Sequence, residues 1–124
     1  GKTLGKAISG GPMMGLAMFG TDFPVLKQNN GLILLSREAA NLPEPSACIR
    51  CGRCINGCPM GLEPVNIANA YTAKNMDELG KLNVDLCVAC GSCSFVCPAK
   101  RPVTQTVRLA KDAYMGYLRS QGGK

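Results

Sequence analysis

Histidine and tryptophan are absent from this 124-residue chain, and aromatic residues make up only 5% of it. Without histidine the commonest general base near neutral pH is missing. Histidine-based nucleophilic triads and His-containing zinc sites are therefore excluded. No run approaches the roughly 18 to 20 apolar residues that span a bilayer: Met13 to Phe19 and Leu32 to Leu35 are too short. Nor does a charged segment precede a long apolar one, as in a signal peptide. Acidic residues are scarce, 8 against 14 Lys and Arg, for a formal charge of +6. No aromatic-interleaved basic patch accompanies that charge, so no nucleic-acid partner is expected. The length is that of one small domain with an attached piece and leaves little room for a substrate cleft of its own. The chain opens on Gly1 rather than Met and reads as an excised part of something longer.

What is plentiful is cysteine. All eight fall in two repeats, Cys48, Cys51, Cys54 and Cys58 before Pro59, and Cys87, Cys90, Cys93 and Cys97 before Pro98. Both read CxxCxxCxxxCP, and each has Gly after its second Cys, at Gly52 and Gly91, which points to a duplicated unit. Three thiolates at steps of three, in a loop kept tight by glycine, surround one face of an iron-sulfur cube with backbone amides aimed at its sulfides. In two-cluster ferredoxins the final Cys-Pro cysteine of each run binds the other cluster, the chain having turned away from its own. The expected sets are therefore Cys48, Cys51, Cys54 and Cys97 for one [4Fe-4S] cluster, and Cys87, Cys90, Cys93 and Cys58 for the other. Four disulfides are the first rival reading, but nothing marks the chain as secreted. Zinc is the second, yet its sites favour two separated cysteine pairs rather than three cysteines in series with a fourth before proline. With all eight thiolates on two clusters, each bearing about −2, the formal charge drops to roughly +2. The basic excess then offsets cluster charge.

The expected fold is mainly α with a small β N-terminal piece, the helical part being a two-cluster ferredoxin-like domain. Residues 1–46 are the end of an upstream β-rich region plus a linker, and 47–124 are the cluster domain. Val25 to Lys27 and Leu32 to Ser36 read as strand pieces around a Gln28-Asn29-Asn30-Gly31 turn. Pro43 and Pro45 mark the linker. Helices are expected from Leu62 to about Ala73, with Leu62, Val65, Ala68, Tyr71 and Thr72 on one face and Pro64 in the first turn. Others run from Met76 to Lys81, capped by Asn75 with Glu78 three residues on, and from Pro102 onward with Val103, Val107, Ala110, Tyr114 and Tyr117 as an apolar stripe. The Ser120 to Lys124 end is expected to fray.

Weaker signals surround these. Ser9 to Gly15, rich in glycine, reads as a structural turn with no complete nucleotide motif, and Met13, Met14 and Met18 read as core filling. Ile49, Ile55, Val88, Phe95 and Val96 are expected to shield the cubes. Arg50, Arg53, Lys100 and Arg101 flank the motifs, either as a solvated face or as counter-charges that raise cluster potential or dock an acidic donor.

The Ser9 to Gly15 block, Thr21 to Lys27, Cys48 to Cys54, Cys58 to Leu62, and Cys90 to Pro102 together resemble the C-terminal part of the C subunit of the Rnf electron-transport complex. The resemblance implies an electron-transfer module with two [4Fe-4S] clusters in a membrane-associated ferredoxin/NAD oxidoreductase complex coupled to ion translocation. It implies a peripheral place on the cytoplasmic side of a bacterial membrane, other subunits as partners, and FMN and NADH bound by an upstream region outside this chain. No catalytic site of its own is expected here. Two alternatives remain: the cluster domain of a related cobalamin reductase of propanediol-utilising microcompartments, and a structural or docking iron-sulfur module.

Overall fold

The structure, a computed structural model, describes residues 2–122. It divides into two compact units, Gly1–Glu44 and Pro45–Lys124.

The first unit is a three-stranded antiparallel sheet. Its strands are β1 (Leu4–Ser9), β2 (Leu16–Met18) and β3 (Leu32–Ser36), in the order β2-β1-β3. Ala7 pairs with Met18 on one side and Leu34 on the other. β1 and β2 are joined by the glycine-rich block, which closes through Gly15 N–H donating to the Gly11 carbonyl at 2.9 Å. A register irregularity falls between Leu4 and Lys6. Gly5 sits there because a Cβ would lie 2.5 Å from Arg37 Cα. β3 forms where the short apolar run after the Asn30-Gly31 turn predicts it, but Val25–Lys27 is not a strand. Leu26 instead opens a local turn, its N–H bound by Asn29 Oδ1 and its carbonyl by Asn29 N–H. β1 was hidden by Gly5 and Lys6, which interrupt its apolar alternation, and three-residue β2 is too short to show a period. Ala7 alone is buried among this unit's described residues, and Met13 and Met14 are exposed rather than core filling.

The second unit is helical. α1 (Arg53–Asn56) and α4 (Ser92–Phe95) are single turns inside the two cysteine motifs. α2 (Pro64–Thr72), α3 (Met76–Lys81) and α5 (Val103–Gly122) supply the bulk, with a 3₁₀ turn at Val84–Leu86. Pro64 takes the first position of α2, where its missing N–H costs nothing. Asn75 caps α3 by accepting from Glu78 N–H at 3.1 Å. The core joins Leu62, Ile67, Ala70, Leu79, Val84, Val103, Val107 and Ala110. Half-buried Cys58, Cys87, Cys93 and Cys97 pack on its edge, so the core is continuous with the cysteine motifs.

Two expectations need correction. The buried face of α2 is Pro64, Ile67 and Ala70, not Val65, Ala68 and Thr72. Val65 and Ala68 are instead turned to a cysteine-lined hollow, because α2 has two apolar neighbours and only one of them is the core. The expected fraying at the chain's end is not seen at Ser120–Gly122, which continue α5; Gly123 and Lys124 lie outside the described residues.

Candidate metal centre

Each cysteine loop is built from the same backbone conformations. Left-handed φ values occur at Arg50 (54°) and Gly52 (78°) in the first motif and at the matching Ala89 (55°) and Gly91 (86°) in the second. They recur three residues past each final cysteine, at Gly61 (68°) and Lys100 (58°). Alternating hands coil the chain into a concave loop whose amides face inward. Arg50 N–H lies 3.4 Å from Cys48 Sγ, and Ala89 N–H lies 3.4 Å from Cys87 Sγ. Each loop then enters a helical turn behind its glycine. Gly52 precedes α1 and Gly91 precedes α4, both left-handed.

Two hollows result. The first is lined by Cys48, Cys51, Cys54 and Cys97, the second by Cys58, Cys87, Cys90 and Cys93. α1 carries the chain from Cys54 at the first hollow to Cys58 at the second. α4 does the reverse, from Cys93 at the second to Cys97 at the first. One four-residue turn rises about 6 Å, so the turn carries the last cysteine away from its own loop. α1 and α4 lie side by side, with Val96 approaching Gly57 so closely that a Cβ there would sit 3.4 Å from Val96 Cγ2.

All eight cysteines are free thiols, so none is committed to a disulfide. Among the described residues, no three Cys, Asp or Glu side chains converge as a single bound metal ion requires. The donor set, four thiols around each of two largely apolar hollows, fits a cluster that takes all four corners from sulfur. Burial pushes the Cys54 thiol up, and neighbouring backbone amides, that of Val65 first, pull it back. Cys93 is likewise raised by burial and opposed chiefly by the Thr104 hydroxyl. Cys90 is lowered, foremost by the Ser92 hydroxyl 3.4 Å away.

Thr104, Ser94 and Ser92 were missed in the sequence. Thr104 N–H donates to Ser94 Oγ at 2.8 Å, and Ser94 donates to Thr104 Oγ1 at 2.9 Å. The Thr104 hydroxyl proton is thereby left for Cys93 Sγ, 3.1 Å away. A hydroxyl three residues before Val107, within the apolar stripe of α5, is the signal that marked it. Lys111, also missed, donates to the Cys87 carbonyl at 2.8 Å. Of the residues expected to shield the clusters, Ile49 lines the first hollow and Val88 the second. Ile55 and Val96 are half-buried. Phe95 is 77% exposed and lines neither hollow, because it ends α4 on the side away from them.

Residues 44–101 match the 4Fe-4S dicluster domain family. The chain is 49% identical over 108 residues to the C subunit of the Na(+)-translocating ferredoxin:NAD(+) oxidoreductase complex of Acetobacterium woodii, an alignment covering 86% of this chain and 24% of that protein. It is 41% identical over 108 residues to the C subunit of the ion-translocating oxidoreductase complex of Rhodobacter capsulatus, covering 86% of this chain and 20% of the relative. With the protein of the same name from Methanosarcina acetivorans it shares 36% identity over 107 residues, 86% and 24% of the two chains. The chain thus spans about a quarter or less of the length of these relatives. No helix among the described residues is long and apolar enough to cross a membrane.

Proposed function

We propose, for a chain that carries a 4Fe-4S dicluster domain and is homologous to the C subunits of ion-translocating oxidoreductase complexes, that its role is to relay single electrons through two [4Fe-4S] clusters. Cys48, Cys51, Cys54 and Cys97 hold one and Cys58, Cys87, Cys90 and Cys93 the other. The observation that carries this reading is the interleaving: each hollow is lined by three cysteines of one repeat and the last cysteine of the other. When bound, such clusters supply reversible one-electron exchange with small structural change. The protein's share is to fix the two centres at either end of α1 and α4, to hold ligand sulfurs by N–H and O–H contacts, and to keep water off through Val65, Ala68, Ile67 and Val107.

The wider setting extends the same reading. The module belongs to a membrane-associated complex that couples electron flow between ferredoxin and NAD to ion movement, peripheral on the cytoplasmic side, with other subunits as partners. FMN and NADH are bound by a region outside this chain. The likeness to C subunits of ion-translocating ferredoxin:NAD(+) oxidoreductase complexes supports the place in such a complex.

Anaerobic iron and sulfide analysis with electron paramagnetic resonance after reduction tests the central claim. About eight iron and eight sulfide per chain are expected from two cubanes. A Cys93→Ser chain that still folds but stops electron flow in the assembled complex supports a relay. Undiminished flow after cluster loss would instead mean a structural role, and stoichiometric zinc would overturn both.

A further inference from the structure

The two halves share a backbone but not their charges. In the first half, Arg50 and Arg101 line the hollow, with Arg53 and Lys100 beside them in sequence, and all four are exposed. Their counterparts in the repeat are Ala89, Leu62, Ser92 and Gly61, all uncharged. Among the described residues, no charged one lines the second hollow. The residues flanking its lining carry both signs: Glu63, between Leu62 and Pro64, and Arg108, next to Val107, with Asp85 two residues before Cys87. Its nearby cation, Lys111, is half-buried and engaged on the Cys87 carbonyl. Water access differs in the same direction. Cys48 and Cys51 are exposed, whereas Cys58, Cys87, Cys90 and Cys93 are all half-buried.

Each of these differences acts on an added electron. Neighbouring cations and solvent stabilise the extra negative charge, while an apolar lining opposes it. The Thr104 hydroxyl on Cys93 works the other way at the second hollow. With the Lys111 ammonium on the Cys87 carbonyl it makes one cation and one dipolar contact, against the two cations lining the first hollow and the greater hydration of Cys48 and Cys51, so the order is not reversed. We infer that the first hollow holds the higher-potential cluster, set there by Arg50 and Arg101, so that an electron shared by the pair rests at the exposed Cys48–Cys51 end. This rests on the reading that both hollows hold clusters.

The test is a redox titration of the full-length cluster-loaded protein, followed by electron paramagnetic resonance. Iron and sulfide content is measured first, so that a missing cluster is told apart from a wrong order of potentials. Two reduction steps are expected, separated by at least tenfold in equilibrium constant, or 59 mV for one electron. In Arg50→Gln/Arg101→Gln the upper step falls by tenfold or more and the lower step stays. Arg50→Lys/Arg101→Lys keeps the upper step near its original place, and Lys74→Gln/Lys81→Gln moves neither. If the double Gln variant does not load both clusters, Arg101→Gln alone is expected to move the upper step in the same direction. An unmoved upper step, or movement of the lower step instead, would overturn the inference.

Discussion

Thr104 shows how much chemistry a single residue can add to a duplicated scaffold. Its position in the first half is taken by Val65, whose amide is the largest hydrogen-bonding influence on Cys54. In the second half the corresponding amide is bound by Ser94, and the side chain takes over the contact with sulfur. Thr104→Val keeps the shape and removes the O–H···S contact. A hydrogen bond with a net worth of about 0.5–1.5 kcal/mol corresponds to about 20–60 mV for one electron. The second-cluster potential is expected to fall by that amount, read by redox titration, while Thr104→Ser retains most of it. Gly52 is constrained differently. A Cβ there meets no atom within 4 Å, yet φ is +78°. Strain alone opposes substitution, and Gly52→Ala is expected to destabilise the loaded protein by about 1–2 kcal/mol, measured as an earlier loss of cluster colour on anaerobic denaturant titration.

At the scale of elements, the decisive pieces are short. α1 and α4 are too brief to be stable alone, and they persist because their ends are fixed by cysteines facing different hollows. α3 is little longer but carries its own signal, the Asn75 cap with Asp77 and Glu78 in the first turn. Asn75→Ala removes the acceptor for Glu78 N–H and is expected to cost about 1 kcal/mol, seen as a lower unfolding midpoint with cluster content unchanged. The cap was legible because it is local: it needs only a residue type and a spacing of three. The buried face of α2 was not, because both of its apolar flanks read alike and only packing separates Ile67 and Ala70 from Val65 and Ala68. Strands β1 and β2 were illegible for a third reason, since Gly5 and Lys6 break the apolar pattern of β1 and three residues are too few to show a period in β2.

At the scale of the whole chain, the helical unit has a core of eight buried residues bordered by four of its cysteines. So small a core needs a further staple. Removal of iron by an anaerobic chelator is expected to abolish cooperative unfolding, with loss of helical circular dichroism, since cluster binding free energy is folding free energy here. Interleaving makes a sharper statement. Cys97 belongs to the second repeat but lines the first hollow. Cys97→Ser is therefore expected to disturb the spectrum of the cluster held by Cys48, Cys51 and Cys54 while largely sparing the other. Disturbance confined to the second cluster would mean that each repeat binds its own.

Sequence alone determined the duplication and singled out the eight cysteines as the expected donors, because ligand chemistry needs thiols at fixed short spacings. It also determined the Asn75 cap, the start of α2 at Pro64 and strand β3, all of which depend on neighbours within a few residues. Only the tertiary structure decided that Arg50 and Arg101 line one hollow while the other is uncharged, that Thr104 reaches Cys93, and that Phe95 turns away from both. Those features depend on which side of a packed turn a residue occupies, and spacing along the chain does not encode that.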